Sequence, residues 1–159
     1  MTCFKKNPVT GQRGAVLAEM ALVTPILLVL LLATADLTRA FIEHNTLTKA
    51  ARNGVRYAAA QAFRGTTGVV SIDATLLSAT RNLVVYGSIS PGAGVQSVLP
   101  GLTLTDVTVT QIVGTNYVEV SVTHSLGGLF GPVLPISFYS GNTMAATRNL
   151  TATVTMRAL

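Results

Sequence analysis

The sequence is poor in the residues on which disulfide-stabilised proteins and metalloenzymes depend. It contains one cysteine, Cys3, two histidines and no tryptophan. A single cysteine excludes a disulfide bond within the chain, so any exported part must be stable without one. His44 and His124 are far apart in sequence and have no cysteine or acidic neighbours at metal-ligand spacing, so we expect both to be structural or surface residues.

Motifs that carry catalysis are also missing. "GVQSVLPG" lacks the spacing of a nucleophile elbow, and "GGLFGP" is not followed by the Lys-Ser/Thr pair of a phosphate-binding loop. Asp73, Asp106 and Glu119 show no pairing that suggests acid–base work. We therefore expect no catalytic residue, no metal, no bound cofactor and no enzymatic activity.

Charge is scarce and unevenly placed. Charged residues make up 11% of the chain and hydrophobic residues 49%, with a formal net charge of +5. Lys5, Lys6 and Arg13 precede the main apolar run, a pattern that holds this end of a membrane protein in the cytoplasm. Aromatic residues do not alternate with basic ones, so no nucleic acid binding is expected.

The apolar run from Ala15 to Ala35 has the length of a membrane-spanning helix. Its 21 residues would form a helix of about 31 Å, enough to cross a hydrocarbon core of about 30 Å. The preceding cations and the following Asp36 predict one crossing, with the amino terminus inside. Pro25 removes one backbone donor, so the helix either tolerates it, as many transmembrane helices do, or kinks there.

Glu19 is an unusual residue in this run. A central acidic residue costs about 2.5–3.5 kcal/mol on insertion, and less near the membrane edge. One interpretation is that Glu19 lies shallow and reaches the headgroups. The other starts from the basic head, Gly14 and a Glu five positions later, which together resemble a type III/IV prepilin signal.

The resemblance to a prepilin signal implies a cut between Gly14 and Ala15 by a prepilin peptidase. It also implies that Glu19 pairs with the new amino group of a neighbouring subunit. Such a buried pair penalises any register that leaves one charge alone, so Glu19 would set the register of assembly. A competing signal is the A-x-A pattern Ala33–Ala35, where an ordinary signal peptidase would release a soluble protein.

Apolar residues continue at helical spacing beyond Asp36, which predicts that the helix extends to about Arg64, where "GTTG" ends it. Gly54 is a weak position in it, costing about 1 kcal/mol relative to alanine. Lys49, Arg52 and Arg56 share a neighbouring face. A solvated helix side is the favoured interpretation, and contact with an acidic neighbouring subunit or with outer-leaflet headgroups is the alternative.

Residues 12 to 60 together resemble the TadE-like family, minor pilins or pseudopilins of the tight adherence (Flp-type) pilus. The matching features are Arg13, Gly14, Glu19, Pro25, Asp36 and the stretch "AARNGVRYA" from Ala50 to Ala58. Met20 departs from the pattern, because the family usually has Phe or Tyr there. The resemblance implies a bacterial inner-membrane location. It also implies membrane lipid, a prepilin peptidase, other pilin or pseudopilin subunits and the inner-membrane pilus assembly machinery as partners.

The remaining sequence predicts a small head. Ser71 to Gly87 reads as a helix with Ser71 as its N-cap, followed by a loop from Ser88 to Gly101. Alternating patterns predict an antiparallel sheet that covers the outer helix. Its strands are Leu104–Val113, Tyr117–Leu126 and Leu150–Arg157, with a turn at Gly114–Asn116. The apolar stretch Gly127 to Ala146 is expected to pack over the sheet or to contact another subunit.

We therefore predict an α+β fold in which a long amino-terminal helix, first transmembrane and then extracytoplasmic, packs against a small pilin-like antiparallel head. The predicted parts are a basic leader (1–14), a transmembrane helix (15–35), its outer continuation (36–64) and the head (65–159). A cleaved minor pilin or pseudopilin is the first hypothesis. The others are an uncleaved single-pass scaffold of the same apparatus, a soluble protein cut after Ala35, and an enzyme with an unrecognised site.

Overall fold

The computed structural model describes residues 10–63, 70–127 and 148–158, with side chains from residue 14 onward. It divides into two units, Met1–Thr38 and Arg39–Leu159. Several predictions concern residues outside the described ranges: most of the basic leader, the helix stop at "GTTG", and nearly all of the apolar stretch from Gly127 to Ala146.

Helix α1, Thr10–Ala62, begins in the first unit and continues without interruption into the second. The predicted single helix is therefore confirmed, and it ends two residues before Arg64. Helical geometry passes through Pro25. From Gly14 to Thr38 every side chain is exposed or partly exposed, so this part of α1 has no packing face within its own unit.

The second unit adds helix α2, Ala74–Tyr86, and a three-stranded antiparallel sheet. The strands are β1, Val107–Ile112, β2, Tyr117–Leu126, and β3, Arg148–Arg157, in the order β1-β2-β3. The bounds of β2 agree with the prediction, and β3 begins two residues before the predicted Leu150. The expected α+β class is confirmed.

The core of the second unit lies between the inner face of the sheet, α2 and the outer part of α1. Buried and exposed residues alternate along β2, as expected for a sheet with one covered face. A Cβ on Gly54 of α1 would overlap Val84 of α2 and lie 3.8 Å from Val120 of β2, so glycine permits this close approach. The main core residues are Leu47, Ala51, Val55, Ala58, Ala62, Leu76, Val84, Val85, Val107, Val118, Val120 and Val122.

The predicted N-cap of α2 is wrong. Asp73, not Ser71, caps the helix: it has extended backbone geometry, and its Oδ1 accepts a 3.1 Å hydrogen bond from the Leu76 N–H. Ser71 instead donates its N–H to the carbonyl of Ala62. The predicted stop at Gly87 is confirmed, because this residue has a positive φ of 71° that favours glycine.

Two details of the first predicted strand are also wrong. Residues Leu104–Asp106 form a short 3-10 helix, because the Asp106 carboxylate accepts hydrogen bonds from the N–H and hydroxyl of Thr103. The strand also ends at Ile112 rather than at the predicted Val113. Val113 is 94% exposed because the hairpin turn begins there.

Candidate functional site

The residues predicted to direct processing and assembly all lie on α1 in the first unit. Gly14, Ala15, Glu19 and Pro25 are exposed along this helix. Glu19 follows Ala15 by four residues, so the two lie about one helical turn apart on the same face. Their roles in cleavage, register and kinking stay predictions.

Gly14 has no structural requirement for glycine within the described chain. A Cβ added there would meet no heavy atom within 4 Å, and Gly14 is not among the glycines with positive φ. A helical glycine costs about 1 kcal/mol relative to alanine. Neither packing nor backbone geometry in the described residues accounts for accepting that cost at this position.

Glu19 makes no hydrogen bond or ion pair within the described residues, and its neighbours Val16 and Met20 are exposed apolar side chains. The threonines of the same segment differ from it. The Thr24 hydroxyl donates to the Met20 carbonyl at 2.6 Å, and the Thr34 hydroxyl donates to the Leu31 carbonyl at 2.8 Å. These hydroxyls are therefore compatible with an apolar surrounding, whereas the Glu19 carboxylate has no such bond within the described residues.

A second acidic residue of α1, Glu43, was not singled out from the sequence. It is buried in the second unit, where its Oε1 accepts a 2.8 Å hydrogen bond from Arg39 Nε. Its Oε2 lies 3.7 Å from Nε2 of the buried His124 on β2. The Arg–Glu spacing of four residues was the one local signal, and the contact with β2 has no local signature.

Asp106 is a further acidic residue of the second unit, and its carboxylate interacts with His124. The hydroxyl and then the N–H of Thr103, both bonded to its carboxylate, hold the pKa of Asp106 below its ordinary value. Burial opposes this shift, and the charge of His124 contributes to it. His124 is buried, as a structural histidine is expected to be, and His44 is exposed. Among the described residues no group of three histidine, cysteine or acidic side chains is arranged to hold a metal ion.

Within the described residues, the apolar part of α1 is the one helix long and apolar enough to cross a membrane. None of its most apolar window is buried, in contrast to the core helix of a soluble protein. This property fits a single-pass membrane protein.

Comparison with protein families matches residues 14–56 to the family described as TadE-like protein. No curated protein and no solved structure matches the chain. The match begins at Gly14, includes Glu19, Pro25 and Glu43, and stops before α2 and the sheet. The resemblance to the TadE-like family, a family associated with the tight adherence pilus, is thus confirmed over residues 14–56.

Proposed function

We propose that this chain is a minor pilin or pseudopilin, a structural subunit in assembly of a tight adherence (Flp-type) pilus, and that a prepilin peptidase cuts it after Gly14. The observation that carries the proposal is Glu19, an acidic side chain without a partner in the described chain, on an exposed helix of membrane length inside the TadE-like segment.

Cleavage after Gly14 would create a positive charge that can pair with Glu19. The new amino group of Ala15 is positive, and Glu19 of an adjacent subunit supplies the negative charge. The free energy of attraction between two buried charges is largely cancelled by the cost of removing both from water. Either charge left alone in lipid, however, is strongly unfavourable. The pair therefore selects one stagger of neighbouring helices, and Glu19 sets the assembly register. Pro25 allows the packed helix to bend.

In this proposal residues 15–35 cross the bacterial inner membrane once, with the amino terminus in the cytoplasm and the head outside. The partners are membrane lipid, the prepilin peptidase, other pilin or pseudopilin subunits and the inner-membrane assembly machinery. The role is structural rather than enzymatic. The Arg39–Glu43–His124 contacts join the outer part of α1 to β2 within the exported unit.

An uncleaved single-pass scaffold of the same apparatus is a second candidate. The observation that favours it is that α1 begins at Thr10, so helical structure continues through the bond between Gly14 and Ala15. In this case Glu19 would find its partner in another membrane helix rather than in a new terminal amine.

Amino-terminal sequencing of protein isolated from membranes separates these functions. The cleaved pilin begins at Ala15 and the scaffold at Met1, whereas a soluble protein cut after the A-x-A pattern begins at Asp36. A Gly14→Leu variant should retain the leader, and Gly11→Leu is the matched control that should still be cut. Mature protein that starts at Ala15 despite Gly14→Leu would contradict the assigned site.

A further inference from the structure

A groove on the second unit combines two cations with an apolar floor. Arg56, Ala59 and Ala60 of α1 and Met156 and Arg157 of β3 line this groove, called here the basic groove, which has a volume of about 520 Å³. Both arginines are exposed. Neither forms an ion pair with another of the described residues, so their charges are available to a bound molecule.

Two further cations extend the basic groove along α1. Arg52 and Lys49 precede Arg56 by four and seven residues, that is, by about one and two helical turns, and both are exposed. The result is a run of positive charge on one side of the unit. Such a surface attracts an anionic partner and repels a cationic one.

A second copy of this chain offers little negative charge to match it. In the second unit Glu43 is buried with Arg39, and the carboxylates of Asp73 and Asp106 cap the starts of their helices. Glu119, the remaining acidic residue of the described ranges beyond Arg39, lies opposite Thr155 on the same face of the sheet as Arg157, so it offers a second copy a single carboxylate against the four cations Lys49, Arg52, Arg56 and Arg157. Charge complementarity therefore favours a different molecule over self-association.

The lining favours an acidic peptide over a nucleic acid. Arginine holds carboxylates through two parallel hydrogen bonds. Ala59 and Ala60 leave room for an apolar side chain, and Met156, which is 39% exposed, can adapt to its shape. None of the described residues that line the groove is aromatic, whereas single-stranded nucleic acids are bound in part by stacking on such residues.

Lipid headgroups are too far away if residues 15–35 span the membrane as proposed. From Arg39 to Arg56 the helix rises by about 26 Å at 1.5 Å per residue. Charges in physiological salt are screened over about 8 Å. This step rests on the proposed function, which places Arg39 just outside the bilayer.

We infer that the basic groove docks an acidic segment of another protein of the assembly, in which carboxylates on either side of an apolar side chain bind Arg56 and Arg157. The contact would join the exported unit to a neighbour, in addition to the contacts made by the membrane helix.

The test is cross-linking in the native cell with the full-length chain. A photo-reactive amino acid at Ala60, which is exposed within the groove, is combined with mass spectrometry that sequences the captured peptide. The inference predicts a segment of a different protein with at least two acidic residues beside an apolar one. The double variant Arg56→Glu/Arg157→Glu should abolish the cross-link. Arg148→Glu, the same charge change at the opposite end of β3, should preserve it.

A synthetic peptide with the captured sequence then measures the arginine contribution. Binding to the detergent-solubilised chain, followed by fluorescence anisotropy, should weaken at least about tenfold in the double variant and stay near wild type in Arg148→Glu. An unchanged thermal unfolding midpoint of the double variant shows that folding is not the cause.

Cross-links to lipid, to nucleic acid, to a second copy of the chain, or to nothing would overturn the inference, as would a protein cross-link that survives the charge reversal. Amino-terminal sequencing of the same preparation keeps the two proposals apart. An Ala15 terminus without groove cross-links refutes the groove alone, and a Met1 or Asp36 terminus refutes the cleaved pilin.

Discussion

Glu19 and Glu43 lie on the same helix, α1, in surroundings that differ in almost every respect. Glu19 is exposed among apolar side chains and has no partner in the described chain, whereas Glu43 is buried and contacts Arg39 and His124. An acidic residue with its partners inside the chain is explained by folding. For one without them, in a segment of membrane length, we propose a role in assembly.

The two helical glycines, Gly14 and Gly54, show the same division. Gly54 is required because a Cβ would overlap Val84, and Gly14 has open space around it. Contacts within the second unit thus explain its unusual residues, Glu43 and Gly54. For the unusual residues of the first unit, Gly14 and Glu19, we propose an explanation in the peptidase and the neighbouring subunit that would bind there.

The largest expected effect comes from Glu19→Ala. We expect the variant to insert, to be cut after Gly14 and to fold its head normally, but to lose incorporation into the pilus or its assembly complex. The reason is that the terminal amine of a neighbouring subunit would be left unpaired in lipid. Co-purification with pilus proteins is the measurement, and normal recovery of Glu19→Ala with its partners would refute the register role.

Glu43→Ala should lower the stability of the fold, in contrast to Glu19→Ala, which should leave the fold intact. We expect a loss of about 1–3 kcal/mol in unfolding free energy, because the buried His124 loses the carboxylate that faces it at 3.7 Å while half-exposed Arg39 turns to water. Chemical denaturation of the detergent-solubilised chain measures it, and Glu119→Ala, on the exposed face of the sheet, should stay within about 0.5 kcal/mol of wild type. Equal stabilities of the two variants would show that Glu43 is not structural.

Gly54→Ala should destabilise the second unit by about 1–3 kcal/mol through overpacking against Val84. Adding Val84→Ala should recover part of this loss, which a double-mutant cycle detects as a coupling energy. Gly14→Ala is the matched change in the first unit and should not lower stability. A neutral Gly54→Ala would mean that Val84 can move aside at no cost.

The smallest expected effect concerns Asp106. Its pKa is lowered by the Thr103 hydrogen bonds, so its carboxylate stabilises the fold above the ordinary value of 3.8. That contribution is lost as the pH falls through the lowered pKa of the folded state. Asp106→Asn should therefore lower the stability slightly at neutral pH and progressively less in acid. Denaturation curves recorded from neutral to acidic pH check this, and a constant difference would contradict it.

Elements with a repeated pattern were predictable from the sequence. The alternation of valines defines β2 from Tyr117 to Leu126, and the continuous helix followed from the apolar run and the stripe beyond it. The errors arose where one side chain decides the local structure. Asp73 rather than Ser71 caps α2, and the bonds from Thr103 to Asp106 replace the start of a strand with a 3-10 helix.

The burial of Glu43 could not be predicted because its contact with His124 joins residues that are far apart in sequence. On the outer part of α1 the same limit applies. Leu47 lies in the core, yet Phe41, one of the apolar residues that recur at helical spacing beyond Asp36, is 68% exposed, because the pattern does not tell where the second unit stops covering the helix. Gly14, Ala15, Glu19 and Pro25 were identified by their motif, and their roles stay predictions.

The most direct measurement is zero-length cross-linking of assembled membranes with an apolar carbodiimide, which joins a paired amine and carboxylate as an amide. Mixing subunits labelled with different nitrogen isotopes distinguishes bonds between chains from bonds within one. The account predicts an amide between Glu19 of one chain and the amino-terminal residue of a neighbouring subunit. Glu19 that is unmodified, or linked only to the Ala15 amine of its own chain, would contradict it.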